Sequence, residues 1–410
     1  MRSMGVSYCK IAVVILIGCA LTFWCLASEV RLSSWIIRPG NADRITPDDQ
    51  AKISSAPFVR PPSLPEPNPE AGTLRAYAAK IGLYFGSMQD SMPGNGWETP
   101  WIQATLSSEF NLMQPGNQLK WWMTEPNEDN FNFVPGDALV AFAASHHMAV
   151  RGHNLLWGMA NPSWLGNGPA RTYTQVSGRQ LKEILINHIR TVLGHYRQKY
   201  PGVIKWWDVT NEVMGWDNRF NSDGILWTKI GNQSDRADYV RVAFRTAREA
   251  DPNAVLCMND WGNEGSDPPR TENMIAAVKS LREEGVPIDC VGMEAHLSIK
   301  SPPIYQRVLD TMKAYASLGV QVQVTEFDIS ASRSDVDWNK TSEIAATLLK
   351  ACVKSLNCTA FNNWGFTQSI YGENSGGKVI MLPWNDKNQT DEEYAAMLTV
   401  LKDAAGRVGR

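Results

Sequence analysis

Eight strand-like runs alternate with helical patterns between residues 74 and 408, and this alternation restricts the folds open to the chain. The runs are apolar and rich in β-branched residues, as expected for strands buried on both faces of a parallel sheet. They span residues 81–86, 110–114, 149–156, 203–210, 254–259, 290–296, 320–327 and 359–364. The helical patterns span residues 180–196, 235–250, 270–284, 304–317, 342–355 and 391–404. Regular alternation of this kind predicts one α/β domain with the (β/α)8 TIM-barrel fold.

A doubly wound open sheet is the alternative fold for the same alternation. Such a sheet normally has a Gly-rich phosphate-binding loop after its first strand. The segment GLYFG at residues 82–86 is not a loop of that kind. We therefore favour the barrel and assign it to residues 73–408.

The N-terminal region differs from the rest of the chain. Arg2 and Lys10 precede an apolar or small run at residues 11–27, which predicts a secretory signal peptide cleaved near Ala27. The length of the run leaves a retained membrane anchor open, and the LIGC tetrad ending at Cys19 leaves lipidation open. Each alternative exports the protein, so we expect it to be secreted or attached to the cell surface.

Residues 28–72 show no apolar periodicity and contain six prolines between positions 57 and 69. This composition predicts an extended or disordered Pro-rich linker between the leader and the folded domain.

Four cysteines lie outside the leader. Cys352 and Cys358 flank a predicted helix end and the next strand, which allows a local disulfide in an exported protein. Cys257 and Cys290 lie in apolar strand-like runs and are predicted to be free and buried. No Cys or His cluster has metal-ligand spacing, so we expect neither a metal site nor a cofactor.

The charge of the chain is nearly balanced, with a net charge of −3 and no Lys/Arg block. This balance gives no electrostatic case for nucleic acid as a partner or for an acidic polymer as a substrate. We expect a monomer. The 16 tryptophans supply aromatic faces that pack in cores and also stack on sugar rings.

Polar residues collect at the ends of the predicted strands. In a parallel barrel these ends surround one cleft, because inward positions of neighbouring strands meet there. The acids at these positions are Glu212, Glu294, Glu326 and Asp328. The other polar or aromatic residues there are Asn117, Lys120, His153, Trp157, Asn211, Asn259, His296 and Trp364. The repetition predicts a functional cleft rather than a set of unrelated turns.

Glu212 and Glu326 are the candidate catalytic pair. Two carboxylic acids on opposite sides of a cleft, with Trp side chains and no metal, are typical of glycoside hydrolysis, and a separation of about 5–5.5 Å leads to retention of configuration. Strand periodicity places Glu326 and Asp328 on the same face. His296, from the adjacent strand, could then bridge them and hold Glu326 ionised.

The motifs around these acids resemble those of glycoside hydrolase family 10, the endo-β-1,4-xylanases. WDVTNE at residues 207–212 resembles the family's acid/base motif, and VTEFD at residues 324–328 resembles its nucleophile motif. Further motifs in the family's order are NQLKW (117–121), RGHNLLW (151–157), CMND (257–260), GMEAHL (292–297), FNNWGF (361–366) and MLPW (381–384). The resemblance covers residues 74–401 and implies a TIM barrel that hydrolyses xylan or xylo-oligosaccharides with retention.

The same resemblance implies roles for individual residues. It implies that Glu212 is the general acid/base, Glu326 the nucleophile and Asn211 the residue that holds the sugar 2-hydroxyl. It also implies the Cys352–Cys358 disulfide. The predicted substrate-binding set is Asn117, Lys120, His153, Trp157, Asn211, Asn259, His296 and Trp364, supported by Asp328 and Glu294.

Several positions depart from the family's pattern. The family usually has a Glu that binds a sugar hydroxyl one unit further out at the position of Gly116, and a second Trp at that of Gly372. Glu294 stands where Gln is usual, and a third carboxyl group should either raise the pKa of a neighbour or stay protonated itself. Two rival functions therefore stay open: a retaining glycosidase acting on another β-linked glycan, and a non-catalytic glycan-binding protein on the same fold.

Overall fold

The computed structural model describes residues 58, 60–61, 63–91, 96–165, 176–217, 219–220, 226–231, 236–368, 378–385, 387 and 389–408. The predicted signal peptide or anchor at residues 1–27 and most of the predicted linker lie outside this part of the chain. Within it, no helix combines the length and the apolar character needed to cross a membrane.

The described residues contain ten strands, and eight of them form a closed parallel barrel. The strands are β1 (Tyr84–Gln89), β2 (Leu112–Pro115), β3 (Ala149–Gly152), β4 (Ile204–Asn211), β5 (Val255–Asp260), β6 (Cys290–Met293), β7 (His296–Ser298), β8 (Gln321–Ser332), β9 (Cys358–Asn363) and β10 (Lys378–Met381). The barrel order is β1-β2-β3-β4-β5-β6-β8-β9, and β9 pairs back with β1. The predicted TIM barrel is confirmed.

Helices alternate with these strands along the chain. They are α1 (Leu74–Lys80), α2 (Pro100–Glu109), α3 (Trp121–Thr124), α4 (Val134–Ser145), α5 (Gly178–Lys199), α6 (Asp238–Ala250), α7 (Pro268–Glu283), α8 (Tyr305–Ser317), α9 (Trp338–Lys354) and α10 (Glu392–Ala405). In α5, Ser177 caps the first turn through a reciprocal pair of bonds with Gln180. Its apolar stripe, which includes Leu181, Leu185 and Ile189, is fully buried. Burial of this stripe stabilises the helix and attaches it to the rest of the domain.

The two remaining strands extend the barrel on one side. The β8 strand continues past the barrel, and its residues Ile329 to Ser332 pair antiparallel with β10. The short β7 strand pairs in parallel with the same extension, so that His296 lies opposite Asp328. The strands β7 and β10 therefore both pair with the C-terminal part of β8.

A small cluster of buried side chains fills the amino-terminal end of the barrel. Trp206 packs edge-to-face against Tyr84, with ring centroids 4.8 Å apart. In the same cluster, Cys257 and Cys290 are joined by a disulfide, with Cα atoms 4.3 Å apart. The prediction that these cysteines are free is therefore wrong. The strand register pairs residue 257 directly with residue 290. The disulfide was missed because the pattern of a single sequence does not reveal strand register.

The expected disulfide between Cys352 and Cys358 is present, with Cα atoms 5.2 Å apart. Arg60 crosses this region and donates to the carbonyl oxygens of Cys352, Ser355 and Cys358 at 2.8, 2.8 and 2.6 Å. Further along, Glu66 pairs with buried Arg75 at 2.7 Å. Arg60 and Glu66 belong to the C-terminal end of the segment predicted as a linker, and both contact the folded domain.

Candidate active site

Glu212 directly follows β4 at the carboxyl end of the barrel. Its backbone is left-handed, with φ of 51°, and its N–H donates to the Asn259 carbonyl at 2.9 Å. A left-handed conformation costs a non-glycine residue about 1 kcal/mol or more and persists only where neighbouring contacts impose it. Here the bond to β5 fixes the turn, so the Glu212 side chain has a defined position at the strand exit.

Glu326 lies inside β8 and is almost completely buried. Its Oε1 atom accepts a 2.8 Å hydrogen bond from Asn259 Nδ2, and its Oε2 atom lies 3.3 Å from His296 Nε2. The Nδ1 atom of His153 lies 3.8 Å from Oε1. The carboxylate is thus held on both oxygens by side chains from β5 and β7.

Asn259 links the two strand exits. Its Nδ2 atom donates to Asn211 Oδ1 at 2.7 Å as well as to Glu326. Its Oδ1 atom accepts from the Thr325 hydroxyl at 2.7 Å. This arrangement requires a glycine at position 292, because a Cβ there would lie 1.9 Å from Asn259 Oδ1. Asn259 therefore fixes the relative positions of β4 and β8 residues across the site.

The environments of Glu212 and Glu326 shift their pKa values in opposite directions. Burial, followed by the negative charge of Glu326, raises the pKa of Glu212 to about 7. The nearby Trp157 indole opposes this rise, although its nitrogen forms no well-aligned hydrogen bond. Burial would also raise the pKa of Glu326, but His153, the hydrogen bond from His296 and the charge of Lys120 hold it below its usual value. Near neutral pH, one carboxyl can keep a proton while the other is ionised.

His296 is held by carboxylates on both sides of its ring. Its Nδ1 atom lies 3.0 Å from Asp328 Oδ2, and its Nε2 atom faces Glu326. Burial alone would lower the pKa of His296, but Asp328 and Glu326 raise it well above its usual value. A protonated His296 is therefore a positive neighbour for Glu326, as the sequence predicts.

Glu294 is a third carboxyl group in the same cluster. It is fully buried, and Asn259 Nδ2 lies 3.3 Å from its Oε1 atom. One polar side-chain atom from each of Glu294, His296 and Glu326 lies within 4.8 Å of the other two. Burial and the charges of Glu326 and Glu212 raise the pKa of Glu294 well above its usual value. Glu294 is thus harder to ionise than an ordinary glutamic acid, because it is buried and two other acids lie close to it.

Lys120 joins the aromatic part of the site to the acids. Its Nζ atom donates to Asn117 Oδ1 at 3.1 Å and lies 4.9 Å from the Trp157 ring and 6.0 Å from that of Trp364. Burial lowers the pKa of Lys120, and the charges of Glu326, Asp90, Glu212 and Glu294 oppose this. Four of the predicted binding residues, Asn117, Lys120, Trp157 and Trp364, therefore lie together next to the acid pair. The Cys352–Cys358 disulfide lies elsewhere in the fold.

A buried pair beneath the site was not predicted from the sequence as functional. Arg151 binds both oxygens of Asp208, with 3.1 Å between Nε and Oδ2, and Asp208 Oδ2 also lies 3.0 Å from His153 Nδ1. All three side chains are fully buried. Asp208 thereby fixes the orientation of His153 beside Glu326. The sequence signal for Asp208 was an acidic residue in the middle of an apolar strand, because a buried acid is costly without a partner.

Asp90 was also missed. It follows β1 at the same level as the other strand exits, and its carboxylate accepts hydrogen bonds from Asn117 and Gln118. The first strand was predicted to end at residue 86, whereas β1 extends to Gln89. With the correct strand end, Asp90 would have been included among the exit residues.

Comparison with known proteins identifies the family of this barrel. The family model described as glycosyl hydrolase family 10 matches residues 73–400. This chain belongs to glycosyl hydrolase family 10. It is a glycoside hydrolase.

Several family 10 relatives are xylanases by name. The chain is 31% identical to endo-1,4-beta-xylanase B of Thermotoga neapolitana over 300 residues, covering 72% of this chain and 81% of that protein. It is 32% identical to an endo-1,4-beta-xylanase of Agaricus bisporus over 341 residues, covering 82% and 95% respectively. A match to endo-1,4-beta-xylanase C of Paenibacillus barcinonensis, at 38% identity over 231 residues, covers 55% of this chain and only 21% of that longer protein.

Solved structures of family 10 members share the fold. Xylanase 10B of Thermotoga maritima superposes with a TM-score of 0.72 at 28% identity, covering 82% of this chain and 99% of that one. Xylanase 10B of Thermotoga petrophila, solved in complex with xylobiose, gives a TM-score of 0.72 at 28% identity and covers 81% and 98%.

Proposed function

We propose that this family 10 member is a retaining endo-β-1,4-xylanase in which Glu326 is the nucleophile and Glu212 the general acid/base. The observation that carries the assignment is the opposite shift of the two pKa values, to about 7 for Glu212 and below the usual value for Glu326. Two carboxyl groups whose environments separate their pKa values in this way are suited to different roles in one reaction.

In the first step, Glu326 attacks the anomeric carbon and forms a glycosyl ester. The bond from that carbon to the glycosidic oxygen breaks at the same time, and Glu212 transfers its proton to the departing oxygen. His296 and Asn259, which contact separate oxygens of Glu326, hold the carboxylate for attack.

In the second step, the ionised Glu212 takes a proton from water, and the water oxygen attacks the anomeric carbon. The ester bond breaks, Glu326 regains its charge, and Glu212 regains its proton. Two displacements at the same carbon give overall retention of configuration.

Xylan is the proposed substrate because the relatives at 31% and 32% identity, matched over most of their length, are endo-1,4-beta-xylanases by name. Trp157, Trp364 and Lys120 provide aromatic faces and a cation beside the acids, a combination suited to a neutral sugar with several hydroxyl groups. We further propose that the protein acts outside the cytosol as a monomer.

Product identification tests this assignment. The protein without residues 1–27 is incubated with purified xylan, cellulose and mixed-linkage glucan, and the products are separated by size. We expect short xylo-oligosaccharides from xylan, with the anomeric configuration of the first product retained by NMR. Cleavage of a glucan but not of xylan would favour the rival glycosidase, which the glycine at position 116 motivates. Binding of xylan without new reducing ends would favour the non-catalytic alternative.

A further inference from the structure

The carboxylate of Asp90 lies at the edge of the predicted sugar-binding region. Its Oδ1 atom accepts from the Ser91 backbone at 2.8 Å and from Gln118 Nε2 at 3.1 Å, and its Oδ2 atom accepts from Asn117 Nδ2. A carboxylate offers about four acceptor positions on its two oxygens. The described residues use three of them, which leaves Oδ2 able to accept one further hydrogen bond. Asp90 is only half-buried, which leaves this position open to a ligand.

Asp90 fills space next to Gly116. A Cβ added at Gly116 would lie 3.2 Å from Asp90 Cβ and 3.3 Å from Asp90 Cγ, and 2.8 Å from Met88 Sδ. A side chain at position 116 and the present Asp90 side chain would therefore compete for the same volume. The first strand supplies a carboxylate where the second strand has none.

A chain of contacts connects Asp90 to the acid pair. Asp90 accepts from Asn117, and Asn117 accepts from Lys120, whose charge acts on both Asp90 and Glu326. Lys120 also faces the Trp157 ring. The resemblance to family 10 implies that Lys120 and Trp157 line the donor side of the cleavage point. Asp90 follows Lys120 and Asn117 in this series of contacts, so we place it further out on the same side.

We propose that Asp90 binds a hydroxyl group of the second sugar on the donor side, one unit beyond the sugar that Glu326 attacks. The proposal rests on the proposed glycosidase function and names a determinant of its substrate. A charged acceptor beside a fixed amide gives this position a preference for a sugar with a free ring hydroxyl over one that is substituted there.

Two aryl glycosides that differ by one sugar test the proposal. A 2,4-dinitrophenyl β-xyloside fills only the first donor position, whereas the corresponding β-xylobioside also fills the second. For Asp90→Asn and Asp90→Ala we expect kcat/KM on the xylobioside to fall by about 10- to 100-fold, the range for a lost hydrogen bond to a charged group. The rate on the xyloside should stay within about twofold, because that substrate does not reach Asp90.

Glu98→Gln is the matched control. Glu98 is exposed and accepts a 2.5 Å hydrogen bond from Ser91, so this variant removes one negative charge from the same loop without touching the cleft. It should leave both rates unchanged. If the Asp90 variants lose activity equally on both substrates, Asp90 supports the structure and the proposal is overturned. Equal activity of wild type and both Asp90 variants on the xylobioside would also overturn it.

The outcome is separable from that of the proposed function. If the wild-type protein hydrolyses neither xylan nor the xylobioside, both the xylanase assignment and the proposed role of Asp90 fail. If the wild-type protein hydrolyses both and only the Asp90 prediction fails, the xylanase assignment stands.

Discussion

The Nδ1 atom of His296 lies 3.0 Å from Oδ2 of Asp328, while Nε2 of the same ring lies 3.3 Å from Oε2 of Glu326. The imidazole ring therefore couples the charge of Asp328 to the ionisation of Glu326. Asp328 favours the protonated imidazole, and the protonated imidazole favours an ionised Glu326. The acid limb of the pH profile should depend on a residue that does not contact the reacting carbon.

Asp328→Asn tests this dependence. Without the anion, the pKa of His296 falls, its positive charge is lost near neutrality, and the pKa of Glu326 rises. Because the nucleophile must be ionised, the acid limb of kcat/KM should move to higher pH by about one unit. The measurement is a pH–rate profile on an aryl xylobioside. An acid limb at the wild-type position would mean that His296 does not control the charge of Glu326.

Glu212→Ala separates the two steps of the reaction. Substrates with good leaving groups need no protonation, so they should still form the glycosyl ester, which then hydrolyses about 10²- to 10⁴-fold more slowly. Stopped-flow release of the aryl group should show a burst, and mass spectrometry should detect the adduct on Glu326. Substrates with poor leaving groups should lose the first step as well. If neither step slows, the acid/base role belongs to another residue.

Glu294→Gln tests the third carboxyl group. In the wild-type protein, the alkaline limb of kcat/KM should fall above about pH 7, where Glu212 loses its proton. Where Glu294 ionises, its negative charge raises the apparent pKa of Glu212, because the two carboxyl groups interact, whereas glutamine stays neutral. The alkaline limb of the variant should therefore move to lower pH, by a few tenths of a unit to about one unit. Identical profiles would remove Glu294 from the mechanism.

The two disulfides should differ in their effect on stability. The Cys257–Cys290 bridge closes 33 residues of sequence and the Cys352–Cys358 bridge only six. On the chain-entropy model, the first stabilises by about 4 kcal/mol and the second by about 2 kcal/mol. Urea unfolding of Cys257→Ala/Cys290→Ala and of Cys352→Ala/Cys358→Ala measures both. A larger loss for the short bridge would show that unfolded-chain entropy does not determine the order.

The fold could be predicted because its signal is repeated in every unit. Each barrel strand is an apolar run, and α5 has a single apolar stripe that begins at a capped first turn. The helices α2 and α4 were not predicted, since their apolar residues do not form a clear stripe. The β10 strand was also missed, because its pairing with the extension of β8 is a long-range contact that leaves no local pattern.

The site could be predicted only as far as strand ends locate it. Glu212, Glu326, His296 and Asn259 were identified because each lies at or near a strand exit. The Cys257–Cys290 disulfide could not be predicted without knowing the register between β5 and β6. Asp90 could be identified only if the end of β1 were predicted to within three residues. No rule of composition or spacing locates a strand end that closely.

Arg60 affects how the protein should be cut for study. The family match begins at residue 73, which suggests that position as a starting point for a shortened version. Such a version would lack the guanidinium that Cys352, Ser355 and Cys358 share, and their carbonyl oxygens would lose this charged donor. Removing the proline-rich stretch as though it were a spacer would thus expose the surface of the barrel next to the Cys352–Cys358 disulfide.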